Sequence, residues 1–215
     1  MSEPEAGISP RLGEYLDSLV PPREARLQEM EAWAAEHDFP IVGPASGYLC
    51  YQLARLAGAR RIFELGSGFG YSTAWFARAV CENGGGVVHH TVWEEELSQR
   101  ARRELDAIGY GGLVRYHVAE AVATLRETEG PFDLVFNDID KRDYPAALPV
   151  IAEKLRPGGV LILDNALWHG RIFDLEDDSA ATAGVREVTR LLTEDPAWIT
   201  SLVPIRDGLL VALKR

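Results

Sequence analysis

The chain has 215 residues, 47% hydrophobic and 26% charged, which suits one soluble α/β domain with a proper core. A formal net charge of −11 argues against a nucleic-acid partner, which needs a positive face to displace counterions; it fits a cationic cofactor, a metal ion or a small molecule better. With only Cys50 and Cys81 there is no disulfide framework, and both are expected to be small buried residues; no apolar run could span a bilayer and no leader-like segment opens the chain, so no membrane partner and a cytoplasmic location are expected.

After a loose tail at residues 2–7, helical apolar spacing runs over residues 12–20 (Leu12, Tyr15, Leu16, Leu19) and 24–36 (Leu27, Met30, Trp33, Ala34). Pro21-Pro22 cannot lie inside one helix, so two are predicted, kinked or separate. A third begins at Ser46 and ends at Gly58, as at a C-cap glycine. Strands are then predicted at residues 61–65, 87–93, 113–117, 132–137, 160–163, 199–204 and 209–213, with helices at 72–81, 95–108, 120–127, 144–155 and 183–192 between most of them. That alternation predicts a doubly wound, mostly parallel seven-stranded sheet covered on both faces. The turn Arg206-Asp207-Gly208 makes the last two strands an antiparallel hairpin. Residues 1–57 supply N-terminal helices and 58–215 the sheet core of a single domain.

Between the first predicted strand and the helix after it lies Gly66-Ser67-Gly68-Phe69-Gly70-Tyr71-Ser72. Alternate glycines let the backbone turn tightly and approach a ligand where a Cβ would clash. A dinucleotide fold would place glycine or alanine at position 71, where this chain has Tyr71. Glu64, at the strand end, is unfavourable beside phosphates and favourable beside a sulfonium or amino group, which points to S-adenosylmethionine. A glycine turn serving only chain reversal is the competing interpretation.

Two further strand ends are acidic. Asp138 follows residues 132–137 and Asp164-Asn165 follows 160–163, so both project from the carboxyl edge, where an open sheet keeps its ligands. Two carboxylates and an amide are hard oxygen donors of the kind Mg²⁺ or Ca²⁺ accepts, with positions left for water or substrate. The alternative is that they cap the helices that follow.

The chain resembles the cation-dependent class I S-adenosylmethionine O-methyltransferases of the catechol and caffeoyl-coenzyme A type. The resemblance covers nearly everything from about Ile41 onward. It is carried by residues 63–72, by Gly130-Pro131-Phe132-Asp133-Leu134-Val135-Phe136-Asn137-Asp138-Ile139-Asp140-Lys141, by residues 156–170 and by Asp207-Gly208-Leu209. It implies a Rossmann-like methyltransferase fold and transfer of a methyl group to a hydroxyl of a small, catechol-like acceptor, in a homodimer. It further implies Asp138, Asp164 and Asn165 as ligands of a divalent cation, with Mg²⁺ expected, and Lys141 as catalytic lysine with Asp138 beside it. Glu64, Gly66, Gly68, Tyr71 and Ser72 match cofactor contacts, as does Val42 before the third helix. At the end of the second strand the family carries an acid for the ribose, and this chain has Val92. Glu94, two residues on, either reaches the ribose through a bulge or only favours the next helix N-terminus. Glu120 and Ala121 match the adenine region, with a solvated helix start as the alternative. Lys141 could instead pair with Asp140 or Asp143 in solvent. His169 lies near the metal pair without an assigned role, and His89 and His90 alternate faces without a partner suggesting a metal site. Two other activities stay open: a metal-independent methyltransferase acting on another nucleophile, and a non-catalytic S-adenosylmethionine-binding protein.

Overall fold

Pro21 and Pro22 do separate two helices: α1 spans Pro10–Ser18 and α2 spans Ala25–Glu36 in the computed structural model, which describes residues 10–215. The expected tail at residues 2–7 lies outside the described residues. Helix α3 (Pro44–Leu56) starts two residues before the expected Ser46, because Pro44 takes the first helical position, where its missing N–H costs nothing. It ends as the glycine predicts: Gly58 has φ +59, with Gly58 N donating to Arg55 O (3.0 Å) and Ala59 N to Ala54 O (2.9 Å), a Schellman pair.

From there β1 (Arg61–Leu65), α4 (Tyr71–Glu82), β2 (Val87–Val92), α5 (Glu95–Ile108), β3 (Val114–Val118), α6 (Ala121–Glu127), β4 (Phe132–Asn137), α7 (Tyr144–Lys154), β5 (Leu155–Leu163), α8 (Ala180–Glu194), β6 (Trp198–Val203) and β7 (Leu209–Lys214) follow in order. The strands form one sheet in the order β3-β2-β1-β4-β5-β7-β6. The first five in that order are parallel, while β7 runs antiparallel to both β5 and β6. Strand β5 begins earlier than the apolar run Val160–Leu163 implies. Leu155 pairs with Phe132 before the register shifts, and the ladder absorbs Pro157-Gly158-Gly159 at its edge.

Successive residues of a strand point to opposite faces, so each central strand feeds two cores. On one face Ile62, Val88, Leu134, Phe136 and Ile162 pack under α2 to α5, where Trp75 and Phe76 are fully buried. On the other, Phe63, Val135, Leu161 and Leu210 pack under α6, α7 and α8 with Phe132, Tyr144 and Ile151. Each such large apolar side chain contributes roughly 2–3 kcal/mol by the area it removes from water. The cysteine expectation needs correction: Cys50 is buried, but Cys81 is exposed, because it sits in the last turn of α4 on the side away from the sheet.

The register fixes where the site must be. Leu65 is paired with Asn137, and Asn137 with Leu163, so the residues that follow them share one row at the carboxyl edge. Backbone bonds carry the ladder one step beyond the strands, with Asp138 N donating to Leu65 O (2.8 Å) and Asp164 N to Asn137 O (3.1 Å). Adjacent strands lie about 4.8 Å apart, so this alone brings Asp138 and Asp164 side by side.

Candidate active site

The glycine loop earns its composition through close approach. Gly66 has φ +82, and a Cβ there would lie 2.5 Å from the Asp138 carbonyl oxygen, so only glycine lets the β1 and β4 ends touch. Ser67 clasps the loop to β2, its N donating to Thr91 O (2.9 Å) while its Oγ accepts from Thr91 N (3.0 Å). Over this edge open two adjoining cavities. The smaller, about 200 Å³, is lined by Val42, Gly66, Gly68, Tyr71, Ser72 and Asp138 among others. The larger, about 1020 Å³, takes Asp138, Lys141, Asp164 and Asn165 on one side and residues of α2 and of the connection to α3 on another. Asp138 and Val42 line both, so the structure brings the expected cofactor loop and the expected ligand trio to one junction.

Glu64 stands behind the wall of the smaller cavity rather than in it. It is fully buried; one oxygen accepts from Thr73 Oγ1 (2.5 Å), and Oε1 has no partner in the protein. Thr73 spends its proton on Glu64, so it accepts from His90 Nδ1 (3.0 Å), which fixes the tautomer of that histidine. Burial raises the Glu64 carboxyl to about 7, with Ser72, Thr73 and Ser67 opposing. An acid whose folded value is raised contributes most stability below its unfolded value of about 4.5 and loses it as pH rises through about 7. Glu64→Gln keeps the Thr73 bond without the charge. In ligand-free protein its stability relative to wild type is therefore expected to improve between pH 5 and pH 8.5, by about 3 kcal/mol from the linkage relation. Urea unfolding at the two pH values checks this; a gap that does not change with pH would show that Glu64 ionises as readily in the fold as in the unfolded chain, with no rise from burial.

Tyr71 is tied to the N-terminal helices. Its hydroxyl donates to Glu31 Oε1 (2.8 Å), and Arg23 grips the same carboxylate through Nε (2.7 Å) and Nη2 (2.9 Å). Burial and the neighbouring Glu31 push the phenol above its ordinary value, so it is a neutral donor. This brace seats α2 against the glycine loop.

Of the trio, Asp138 accepts from Lys141 Nζ at 2.6 Å, and Asp164 Oδ1 accepts from Asn165 N (2.8 Å). Burial raises both carboxyls, Asp164 to about 7 with Asp138 as its second cause, while Lys141 opposes the rise at Asp138. Two acids that repel each other at a strand edge are short of positive charge. Lys141 lies in a 3₁₀ turn (Lys141–Asp143), is 7% exposed and has the Tyr144 and Trp168 rings within 5.2 and 5.9 Å of Nζ. The solvated pairing with Asp140 does not form, because Asp140 pairs with Arg142 (2.8 Å). Asn165 Nδ2 donates to Asp207 Oδ2 (3.0 Å), which leaves the amide oxygen as its free acceptor. Asp207 Oδ1 also takes the N–H of His169, so His169 lines the large cavity and braces this turn through its backbone.

The adenosine side gives less. Val92 is buried, Glu94 is exposed and makes no side-chain cap bond, and neither lines either of these two cavities. Glu120 caps α6 by accepting from Val122 N (2.8 Å) and Ala123 N (2.5 Å), so the helix-start alternative describes its carboxylate; Ala121 is buried behind it. His89 does have a partner, His117, with Nδ1 and Nε2 3.0 Å apart and the rings stacked between Phe63 and the β3 edge. Asp207, Glu31 and Arg206 line the large cavity without having been singled out from sequence; only the Asp207-Gly208 pair gave a signal.

A family model described as O-methyltransferase matches residues 22–215. The chain belongs to the O-methyltransferase family. A catechol O-methyltransferase of Niastella koreensis is 30% identical over 210 residues, covering 93% of this chain and 94% of that one. The O-methyltransferase TomG of Streptomyces achromogenes, solved in complex with SAM and involved in tomaymycin synthesis, is similar at 30% identity and TM-score 0.84 over 100% of this chain and 99% of its own. An O-methyltransferase of Bacillus cereus in complex with SAH is similar at 27% identity and TM-score 0.85, over 95% and 97%. This O-methyltransferase is therefore an enzyme that transfers methyl groups from S-adenosylmethionine to oxygen, and the non-catalytic alternative falls away.

Proposed function

We propose that this O-methyltransferase acts on a small, catechol-like acceptor with a divalent cation, Mg²⁺ by the chemistry of its donors, held by Asp138, Asp164 and Asn165. The observation that carries this is a pair of carboxylates side by side in one strand-edge row, Asp164 buried and Asp138 half-buried where the two cavities meet, beside an amide oxygen turned free by Asp207. Among the described residues no three His, Cys, Asp or Glu side chains group to hold a metal, so the set depends on the amide as its third donor. The donors are all hard oxygens and fit such an ion.

The cation would stabilise the ionised form of a chelating hydroxyl, which in a free phenol ionises only near pH ~10. The chain's own residues do the rest. Lys141 Nζ, held at the same junction by Asp138 and the Ile139 carbonyl (3.3 Å), is the basic group placed to receive the acceptor proton. Val42 and Asp138, common to both cavities, set the acceptor oxygen against the cofactor so that displacement is in line. The Trp168 side chain and the α2 residues Ala34 and Ala35 supply apolar walls that exclude water. A second interpretation rests on the Lys141 contact, which already neutralises Asp138 and would permit transfer without a metal. A homodimer in the cytoplasm, without nucleic-acid partners, remains part of this proposal; the exposed Tyr15 of α1 and Leu19 just after it offer apolar surface a second copy could cover.

Transfer of a labelled methyl group from S-adenosylmethionine to catechol should be lost with EDTA and restored by Mg²⁺. Full activity in EDTA would favour the metal-independent interpretation.

A further inference from the structure

Three Lys and Arg side chains line the large cavity, and two are already neutralised: Lys141 by Asp138 and Arg142 by Asp140. The third, Arg206, has no hydrogen-bond or ion-pair partner among the described residues. A guanidinium facing a substrate-sized space with its fork free is a ready receptor for a planar anion.

The local fold holds it in place. Arg206 takes φ +49 in the turn between β6 and β7, which is closed by Ile205 N to Val203 O (2.8 Å) and Gly208 N to Ile205 O (2.8 Å). The turn docks on the loop after β5 through Ala166 N to Gly208 O (2.9 Å) and Leu167 N to Asp207 O (2.8 Å). Arg206 thus leaves the same turn whose next residue fixes the Asn165 amide. Its side chain crosses to the start of α3 and lies on Gly43, where any Cβ would overlap Nη1 and Cζ. Gly43 is next to Val42, so the guanidinium spans the cavity from the strand edge to the cofactor side.

We propose that Arg206 selects acceptors bearing a carboxylate away from the reacting hydroxyls, so that the acceptor is a catechol acid; this rests on the catechol reading above. The carboxylates that share the lining do not compete for Arg206. Glu31 is held by Arg23, Asp140 by Arg142, Asp207 by Asn165 and the His169 N–H, and Asp138 and Asp164 form the cation site. Asp38 alone is exposed without such a partner, and it would select an ammonium instead.

The test compares kcat/KM for protocatechuic acid, its methyl ester and dopamine in wild type, Arg206→Gln and Arg206→Lys, with Mg²⁺ present. Wild type is expected to prefer the acid over the ester by roughly 10- to 100-fold, the range of a charge-assisted hydrogen-bond pair, and to do so through KM. Arg206→Gln should bring that ratio close to one, and Arg206→Lys, which keeps the charge without the fork, should fall between. Equal use of acid and ester by wild type, a ratio that survives in Arg206→Gln, or a preference for the amine would each overturn the assignment while leaving catechol methylation standing. A wild type that methylates none of the three would remove the catechol reading and this proposal with it.

Discussion

Asp138→Asn is expected to lower kcat/KM for a catechol acceptor by roughly a hundred- to a thousandfold, the loss typical of removing one fixed electrostatic partner of a transition state. The substitution keeps the shape of the side chain at the point where both cavities meet and removes only its charge. A cation then faces one carboxylate rather than two, so its affinity should fall along with turnover. The effect on the fold has the opposite sign at Asp164. Asp138 is one cause of the raised Asp164 carboxyl, second to burial, so its neutralisation moves Asp164 back toward the ordinary range. Lys141 loses its partner at the same time, which offsets part of that gain. Titration of the protein with Mn²⁺ followed by electron paramagnetic resonance reads affinity without turnover. Unchanged Mn²⁺ binding in Asp138→Asn would place the cation elsewhere and undo the proposed trio.

How far the sequence discloses such a site depends on whether local rules decide it. Residues 132–137 and 95–108 were bounded correctly because each carries its own punctuation: Pro131 before β4, and Gly109, at φ +93, after α5. The meeting of Asp138, Asp164 and Asn165 beside the glycine loop was legible for a related reason. The carboxyl edge of a parallel sheet is a fixed place, and any side chain one step beyond a strand falls on it. What stayed hidden is set by contacts across the chain. Nothing in the residues near Tyr71 indicates that its hydroxyl will meet Glu31, 40 positions earlier, and turn α2 into a wall of the site. Arg206 reads as an ordinary turn residue until the space beside Gly43 is known. The turn at Trp168–Phe173 is another case, since Trp168 and His169 take φ +48 and +53, values that neither residue type announces and that the docking against Asp207 imposes. Glu120 was ambiguous for a chemical reason, because one carboxylate can serve either an adenine contact or a helix cap, and here its oxygens accept from the first turn of α6.

The second large effect is expected at Lys141. If its amine takes the acceptor proton, Lys141→Met should reduce kcat by roughly 10²- to 10⁴-fold, the usual contribution of a positioned base, while binding of S-adenosylhomocysteine stays near wild type. Without that base, reaction would wait for the acceptor to ionise, so the residual rate should climb about tenfold per pH unit below the acceptor's own ionisation. Methionine also removes the counter-charge of Asp138, which is bonded to Nζ at 2.6 Å, and a fall in kcat could then come from a displaced carboxylate. Lys141→Arg separates the two. A guanidinium keeps a positive partner for Asp138 yet cannot give up its proton in the working range. Arginine and methionine should therefore be similarly slow and similarly dependent on pH, with the arginine variant the more stable of the two in thermal unfolding. A Lys141→Arg enzyme that turned over near the wild-type rate would make the lysine a positioning residue acting through Asp138, and the acceptor proton would then have to leave by another group.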